Sequence, residues 1–140
     1  MRLVLGADDD SPIVARVDTI LKARGHEVVR LAVAPWGKVG REVGLAVASG
    51  KFDQGVVLCF TGTGVSLAAN KVPGVRAALS VDAATAAGAR RWNDANVLAL
   101  SLRLLTDTLA TEILDAWLAT EYEGGEDESL AVIETPGPSA

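Results

Sequence analysis

Cysteine and histidine are scarce in this sequence of 140 residues, which has one of each. A single cysteine cannot form a disulfide within the chain, which favours a reducing compartment. No uninterrupted apolar run approaches the ~18 residues that a membrane-spanning helix needs. The short apolar run after Met1 lacks a small-residue cleavage site. The sequence therefore predicts a cytoplasmic protein with no signal peptide and no membrane segment.

Acidic residues outnumber basic ones, 18 to 13. The formal net charge is -5, and no cluster of Lys or Arg occurs, which argues against binding to nucleic acid or to an anionic membrane surface. The one histidine, His26, opens a predicted strand, and no spacing of His, Cys and carboxylates is typical of a metal site. We predict neither a metal nor a cofactor.

Aliphatic residues dominate what is present, since hydrophobic residues make up 49% of the chain and aromatic residues only 4%. Short apolar runs alternate with segments of helical spacing, a pattern typical of a parallel sheet with helices on both faces. We predict an α/β fold with three α/β/α layers, a Rossmann-like arrangement around a five-stranded parallel sheet. The predicted strands cover residues 2–6, 26–32, 55–59, 75–79 and 96–100, and the predicted helices cover residues 13–24, 39–49, 65–70, 82–91 and 107–119.

The predicted domain organisation is simple. Residues 1–125 form one α/β domain, and residues 126–140 form a C-terminal tail that is acidic and then rich in Pro and Gly. Such a composition predicts a loose segment near the end. Ligands of parallel sheets bind beyond the carboxyl ends of the strands, so the segments after the first and third strands are the first candidates for a site.

The segment after the third strand carries the clearest chemical signal. The strand ends at Cys59, a turn containing Thr61, Gly62, Thr63 and Gly64 follows, and a helix of small residues begins. Backbone N–H groups of such a turn converge at the helix N-terminus, where the helix dipole favours an anion or a developing oxyanion. The same field favours the thiolate form of the cysteine. A small buried apolar residue is the alternative interpretation of the cysteine.

Three further short motifs accompany the segment of the turn, in which residues 59–71 read Cys-Phe-Thr-Gly-Thr-Gly-Val-Ser-Leu-Ala-Ala-Asn-Lys. The further motifs are Gly-Ala-Asp-Asp at residues 6–9, Gly-Val-Arg-Ala-Ala at residues 74–78 and Trp-Asn-Asp-Ala-Asn-Val-Leu at residues 92–98. These motifs closely resemble those of the ribose-5-phosphate isomerase type B and galactose-6-phosphate isomerase family. The family has Gly-Ser-Asp-His, Cys-Gly-Thr-Gly-Ile-Gly-Met-Ser-Ile-Ala-Ala-Asn-Lys, Gly-Ile-Arg-Ala-Ala and His-Asn-Asp-Ala-Asn-Val-Leu in the same order. The resemblance extends over residues 2–125.

The resemblance implies aldose–ketose interconversion through an enediolate, without a cofactor. It makes Cys59 the base that moves a proton between neighbouring carbons, and Thr61 a relay to the oxygens. It assigns Asp8 to the sugar hydroxyls. The implied oxyanion site comprises Gly62, Thr63, Gly64 and Asn93. Sites of this family usually form across a homodimer, so the resemblance also implies a homodimer, or a dimer of dimers, with shared active sites.

Several family residues are replaced in this sequence. Trp92 stands where the family has the histidine that opens the furanose ring, and Asp9 replaces the histidine after the first aspartate. Residues 126–128 (Glu-Asp-Glu) and Leu130 occupy the places of the phosphate-binding arginines and their neighbours. Each carboxylate repels a phosphate dianion by about 1 kcal/mol even with good screening. Arg103 matches a further family arginine and retains one cationic contact.

These replacements predict an isomerase with altered substrate choice, acting on an unphosphorylated, acyclic or otherwise modified sugar. Trp92 and Trp36 then supply flat apolar walls, and packing in the core or at an interface is the alternative for both. Phe60 replaces a glycine of the turn, which predicts a narrower site or changed backbone angles.

Three alternatives stay open at this point. One is isomerisation of ribose 5-phosphate itself. Another is a non-catalytic or half-catalytic subunit of a heteromeric sugar-phosphate isomerase, since galactose-6-phosphate isomerases combine two unlike chains and a partner would supply the missing residues. The third is a flavin- or nucleotide-binding module. It is disfavoured because flavodoxin-type phosphate loops follow the first strand, whereas the Gly-rich turn of this chain follows the third. Lys71 also lies outside any Gly-x-x-x-x-Gly-Lys-[Ser/Thr] pattern.

Overall fold

The computed structural model describes residues 1–138, in which five strands and six helices follow one another along the chain. The strands are β1 (Arg2–Ala7), β2 (Glu27–Arg30), β3 (Gln54–Cys59), β4 (Ala77–Leu79) and β5 (Val97–Ser101). The helices are α1 (Pro12–Ala23), α2 (Trp36–Ala48), α3 (Thr63–Asn70), α4 (Ala83–Asn93), α5 (Asp107–Ala119) and α6 (Asp127–Glu134). None of these helices has the length and apolar character that crossing a membrane requires.

The strands form a single parallel sheet in the order β2-β1-β3-β5-β4. Every residue of the central strand β3 is buried, because helices cover both faces of the sheet. This arrangement explains the near-continuous apolar run that ends at Cys59. The predicted three-layer α/β fold with five parallel strands is confirmed.

Two apolar cores lie on opposite faces of the sheet. One packs α1, α4 and α5 and contains Trp117, whose indole N–H donates to the Gln54 side-chain oxygen at 2.8 Å. The other packs α2 and α3 and contains Cys59. Helices α2 and α3 approach so closely that a Cβ on Gly40 would lie 2.6 Å from the Cβ of Ala68. This close packing fixes the N-terminus of α3 beside the end of β3.

Some element boundaries differ from the prediction. Helix α2 begins at Trp36, three residues before the predicted start at residue 39. Pro35 precedes its first turn, and the Pro35 carbonyl accepts a hydrogen bond from the Val39 N–H at 3.0 Å. Proline is well suited to a helix start, because its ring pre-sets φ and no N–H is needed there. Strands β2 and β4 are shorter than predicted, and β4 begins at Ala77.

The C-terminal segment contains a helix that the composition did not predict. Helix α6 has no buried residue and is held by polar contacts at its two ends. The Tyr122 hydroxyl donates to an Asp127 carboxylate oxygen at 2.8 Å, and the Arg76 guanidinium donates to Glu134 at 2.8 Å. The acidic part of the tail is therefore helical, and the loose segment near the end of the chain stays a prediction. Residues 139–140 of the predicted tail lie outside the described part, and the domain boundary at residue 125 stays a prediction.

Candidate functional site

Cys59 lies at the carboxyl end of the central strand. It pairs in register with Ser101 on β5, and its side chain belongs to the core under α2 and α3. The residue is only 4% exposed, yet it also lines an open cleft. The residue therefore packs like an apolar core residue and also borders the cleft, and its role as a base stays a prediction.

The turn after Cys59 presents backbone donors at the start of α3. Gly62 is the N-cap and has φ +79, a conformation that glycine adopts without strain. The hydroxyl oxygens of Thr61 and Thr63 lie 2.7 Å apart and share a hydrogen bond. Within residues 1–138, the backbone N–H groups of Gly64 and Val65 form no hydrogen bond. These free amides at a helix N-terminus can stabilise an oxyanion.

A cleft of about 370 Å³ opens in front of this turn. The indole of Trp36 packs directly against Gly64, where an added Cβ would lie 2.8 Å from the ring. Trp36 remains 50% exposed, so its ring is a wall of the cleft and not a core residue. The cleft is lined by Asp8, Trp36, Cys59, Phe60, Thr61, Thr63, Gly64 and Leu67. Hence the structure brings five predicted site residues together.

Asp8 reaches the cleft from the loop after β1. Its backbone N–H donates to the Leu58 carbonyl at 3.2 Å, which ties this loop to the end of β3. Burial, and secondly the repulsion of the Asp9 carboxylate, raises the pKa of the Asp8 carboxyl above its ordinary value of 3.8. The Asp9 carboxylate therefore lies close enough to disfavour the charge of Asp8.

We expect Asp8→Asn to stabilise the folded chain at pH 7. Because the pKa of Asp8 is raised above the unfolded value of 3.8, the folded state binds this proton more tightly than the unfolded state does. The ionised carboxylate therefore opposes folding above the raised pKa, and the penalty fades as the pH falls through it. Urea unfolding of both proteins at pH 7 and pH 4 should show a gain that shrinks at the lower pH. A variant that is no more stable at pH 7 contradicts this expectation.

A second compartment, called here the distal compartment, adjoins the cleft and shares Asp8 and Phe60 with it. Its volume is about 360 Å³, and Asp9, Ser11, Leu102 and Arg103 complete its lining. Within residues 1–138, Arg103 forms no ion pair. The predicted site residues Asp9 and Arg103 thus lie together, next to the cysteine cleft and not inside it.

Trp92 and Asn93 lie near the amino ends of the strands, at the opposite end of the sheet from Cys59. They end α4 and precede β5, whereas Cys59 pairs with the last residue of β5. Both line a separate groove of about 490 Å³ beside α6, and Trp92 is 53% exposed. Within one chain, the structure does not bring Asn93 to the oxyanion turn, so a site containing both needs a second chain.

The comparisons with known proteins agree with this geometry. The family described as Ribose/Galactose Isomerase matches residues 3–132. The chain belongs to this family. Ribose-5-phosphate isomerase B of Escherichia coli (strain K12) is 46% identical over 87 residues, which cover 62% of this chain and 58% of that relative. D-erythrulose-4-phosphate isomerase of Pectobacterium atrosepticum is 36% identical over 132 residues, covering 89% and 87% of the two chains.

A solved structure of a ribose/galactose isomerase is similar over almost the whole chain. Ribose-5-phosphate isomerase B of Clostridium thermocellum has a TM-score of 0.91 at 38% identity and covers 96% of this chain and 95% of its own. The family membership predicted from the motifs is confirmed. The chain spans little more than half the length of the Escherichia coli relative.

The residues that depart from the family motifs occupy two places in this chain. Asp9 lies in the distal compartment with Arg103. Trp92, Glu126 and Leu130 surround the groove beside α6. Asp9 therefore borders an opening beside the cysteine cleft, whereas Trp92, Glu126 and Leu130 border a groove that does not adjoin the cleft within one chain. The cysteine and the Thr-Gly-Thr-Gly part of its turn are retained.

Phe60 and Leu67 line the cleft although neither is among the predicted site residues. The sequence did point to Phe60, because it replaces a glycine of the family motif. Among described residues other than glycine, only Asp94 has a positive φ, so Phe60 fits into the turn without a left-handed backbone. Its ring is 67% exposed between the cleft and the distal compartment, which agrees with a narrower site.

The described residues include neither a cluster of possible metal ligands nor a histidine at the cleft. No group of three or more His, Cys, Asp or Glu side chains in the described part of the chain is placed to hold a metal ion. The ring of His26 lies 3.1 Å from the N-terminal ammonium of Met1, at the start of β2. Burial and that ammonium lower the pKa of His26.

Proposed function

We propose that this ribose/galactose isomerase is an aldose–ketose isomerase of the ribose-5-phosphate isomerase B type, with Cys59 as its base. The observation that supports the proposal is the position of Cys59 in one cleft with free backbone amides and the Asp8 carboxylate. A base, an oxyanion site and a hydroxyl acceptor are the groups that proton transfer next to a carbonyl requires. No cofactor is needed for this chemistry.

Each group has a defined role in the proposed reaction. The Cys59 thiolate takes the proton from C2 of the open-chain aldose, and the electrons of that C–H bond form the C1–C2 double bond. Negative charge moves to the C1 oxygen, where the amides of Gly64 and Val65 stabilise it. The Thr61 hydroxyl relays a proton between the two oxygens, and the thiol returns its proton to C1 to give the ketose. Asp8 accepts hydrogen bonds from the remaining hydroxyls.

The proposed substrate differs from an ordinary sugar phosphate. Glu126 and Leu130 border the groove beside α6 where the family motif has arginines, and Trp92 replaces the ring-opening histidine. An unphosphorylated, acyclic or otherwise modified sugar avoids the need for both missing functions. Nuclear magnetic resonance of tetroses, pentoses and hexoses, with and without phosphate, tests the proposal directly. Interconversion of an aldose and its ketose supports it, and no interconversion of any sugar counts against it.

We further propose that two copies of the chain share each site. Asn93 and Trp92 line a groove separate from the cleft that contains Cys59 of the same chain. A second copy of the chain can present them at that cleft. The predicted homodimer would then contain two composite sites, each with a cysteine from one copy and an asparagine from the other.

Mixing two inactive variants should restore activity if the sites are shared. Cys59→Ala and Asn93→Ala each remove one half of every site in their own homodimer. In a mixed dimer one site carries both changes and the other carries neither, so unfolding and refolding the two together should recover about a quarter of wild-type turnover. Mixing the two folded proteins without refolding is the control, and it should recover less turnover. Failure to recover turnover after exchange contradicts a shared site.

A half-catalytic subunit is the second candidate function. It is favoured by the residues that replace the family's histidine and phosphate-binding arginines, namely Trp92, Glu126 and Leu130 around the groove beside α6. A different family member would then supply the histidine and arginines. Inactivity of the purified chain on every sugar, together with activity after addition of such a partner, distinguishes this candidate from the first.

A further inference from the structure

The distal compartment has an unusual charge balance for a site that would hold an anion. Its ionisable side chains are two carboxylates, Asp8 and Asp9, and one guanidinium, Arg103. In the described part of the chain this guanidinium forms no ion pair. At neutral pH the compartment therefore carries more negative than positive charge. A phosphate dianion gains one attractive contact there and meets two repulsive ones.

Asp9 differs from its neighbour Asp10 in a way that assigns it to the compartment. The Asp10 carboxylate accepts a hydrogen bond from the Arg30 guanidinium at 2.8 Å and does not line either opening. Asp9 has no such cation among the described residues and lines the compartment. Thus the charge of Asp10 is offset locally, whereas the charge of Asp9 acts on whatever enters the compartment.

Phe60 connects the compartment to the cysteine cleft. It lines both spaces, and its ring is two-thirds exposed. Its carbonyl accepts hydrogen bonds from the Ser101 hydroxyl at 3.0 Å and from the Arg103 N–H at 3.0 Å. The backbone below the ring is therefore held in place. A chain of carbons that reacts at Cys59 and extends along the sheet edge would pass over this ring into the distal compartment.

We infer that Asp9 and Phe60 determine specificity by selecting a substrate whose far end is an uncharged, hydroxyl-bearing carbon chain and not a phosphate monoester. The Asp8 and Asp9 carboxylates accept hydrogen bonds from neutral hydroxyls, and the Phe60 ring packs against the apolar C–H face between them. The inference rests on the proposed function, because it takes Cys59 as the position of the reacting carbons.

Protection of Cys59 from alkylation tests the inference without requiring turnover. Because the chain has one cysteine, the rate of iodoacetamide modification reports on this site alone. Ribitol and ribitol 5-phosphate, which cannot isomerise, are titrated as protecting ligands. We expect ribitol to protect wild-type protein at a concentration about tenfold lower than ribitol 5-phosphate does. Equal protection, or a preference for the phosphate, overturns the inference.

Matched variants distinguish the roles of Asp9 and Phe60 from a general effect of charge or of substitution near the site. Asp9→Asn should reduce the preference for ribitol about tenfold by improving protection by the phosphate, while Asp10→Asn should change it less than about twofold. Phe60→Gly, which restores the family residue, should weaken protection by ribitol about fivefold, because the carbon chain loses its contact with the ring. Identical behaviour of the Asp9 and Asp10 variants overturns the role of Asp9, and unaltered ribitol protection in the Phe60 variant overturns that of Phe60.

The same titration distinguishes failure of the inference from failure of the proposed function. Turnover of ribose and ribose 5-phosphate is measured in parallel. A preference for ribitol without turnover of any sugar supports the binding specificity and contradicts the isomerase. Turnover without that preference supports the isomerase and contradicts the specificity.

Discussion

Cys59→Ala should abolish turnover, by about 10³-fold or more, while the chain keeps its fold. In the proposed mechanism Cys59 takes the proton from carbon, and a positioned base contributes roughly 10²- to 10⁴-fold. The side chain is almost fully buried, but the loss of one sulfur atom leaves only a small cavity. We expect a loss of about 1 kcal/mol in the free energy of unfolding. Initial rates on the best sugar and urea unfolding measure the two effects.

Val57→Ala is the matched control for the cysteine variant. Val57 lies two residues earlier on β3, on the same face of the strand and in the same core, but it does not line the cleft. It should lose more stability than Cys59→Ala, since it gives up two methyl groups, and should keep turnover within about threefold of wild type. Full activity of Cys59→Ala would sink the assignment of the base.

Gly62→Ala should impair both stability and turnover. The residue has φ +79, and an added Cβ would lie 2.5 Å from Leu79 Cδ1 and 2.9 Å from the backbone carbon of Leu100. Strain and overlap with backbone atoms together should cost about 2–4 kcal/mol in the free energy of unfolding. Because Gly62 sets the direction of the first amides of α3, a shift of the turn should also lower turnover about 10²-fold.

Gly25→Ala separates backbone strain from the crowding at Gly62. Gly25 also has a positive φ, +90, but nothing lies within 4 Å of an added Cβ, and the residue is remote from the cleft. It should cost only about 1 kcal/mol and leave turnover unchanged. Urea unfolding and initial rates of both variants provide the comparison. Equal effects of the two substitutions would show that the contacts of Gly62 have no special role.

The parts of the fold that depend on local sequence were predictable. The buried apolar run of β3 and its Gly-rich turn lie within residues 54–64, so one short stretch determines the strand, the turn and the helix start. Helix α6 depends instead on the contact between Arg76 and Glu134, which lie 58 residues apart. The composition of this segment does not indicate a helix. No side chain of α6 is buried, so the segment lacks the apolar pattern that marks the other helices.

The same distinction applies to the candidate site. Cys59, Thr61 and Gly64 follow one another along the chain, and the parallel sheet places Asp8 beside them. Asn93 belongs to one of the family motifs, which is why it is predicted for the same site. It is, however, the last residue of α4, and this helix carries it away from the end of the sheet where Cys59 lies. The contact of Trp36 with Gly64 also depends on the packing of α2 against α3, which the sequence pattern does not specify.

The central claim is that Cys59 moves a proton between neighbouring carbons of a sugar. Incubation in D2O with a panel of aldoses, followed by nuclear magnetic resonance, measures it most directly, because a proton held by a thiol exchanges with solvent before it returns to carbon. The proposed mechanism predicts deuterium at the carbon next to the carbonyl with wild-type protein and none with Cys59→Ala. Deuterium uptake that persists in Cys59→Ala, or no uptake into any sugar with wild-type protein, would contradict it.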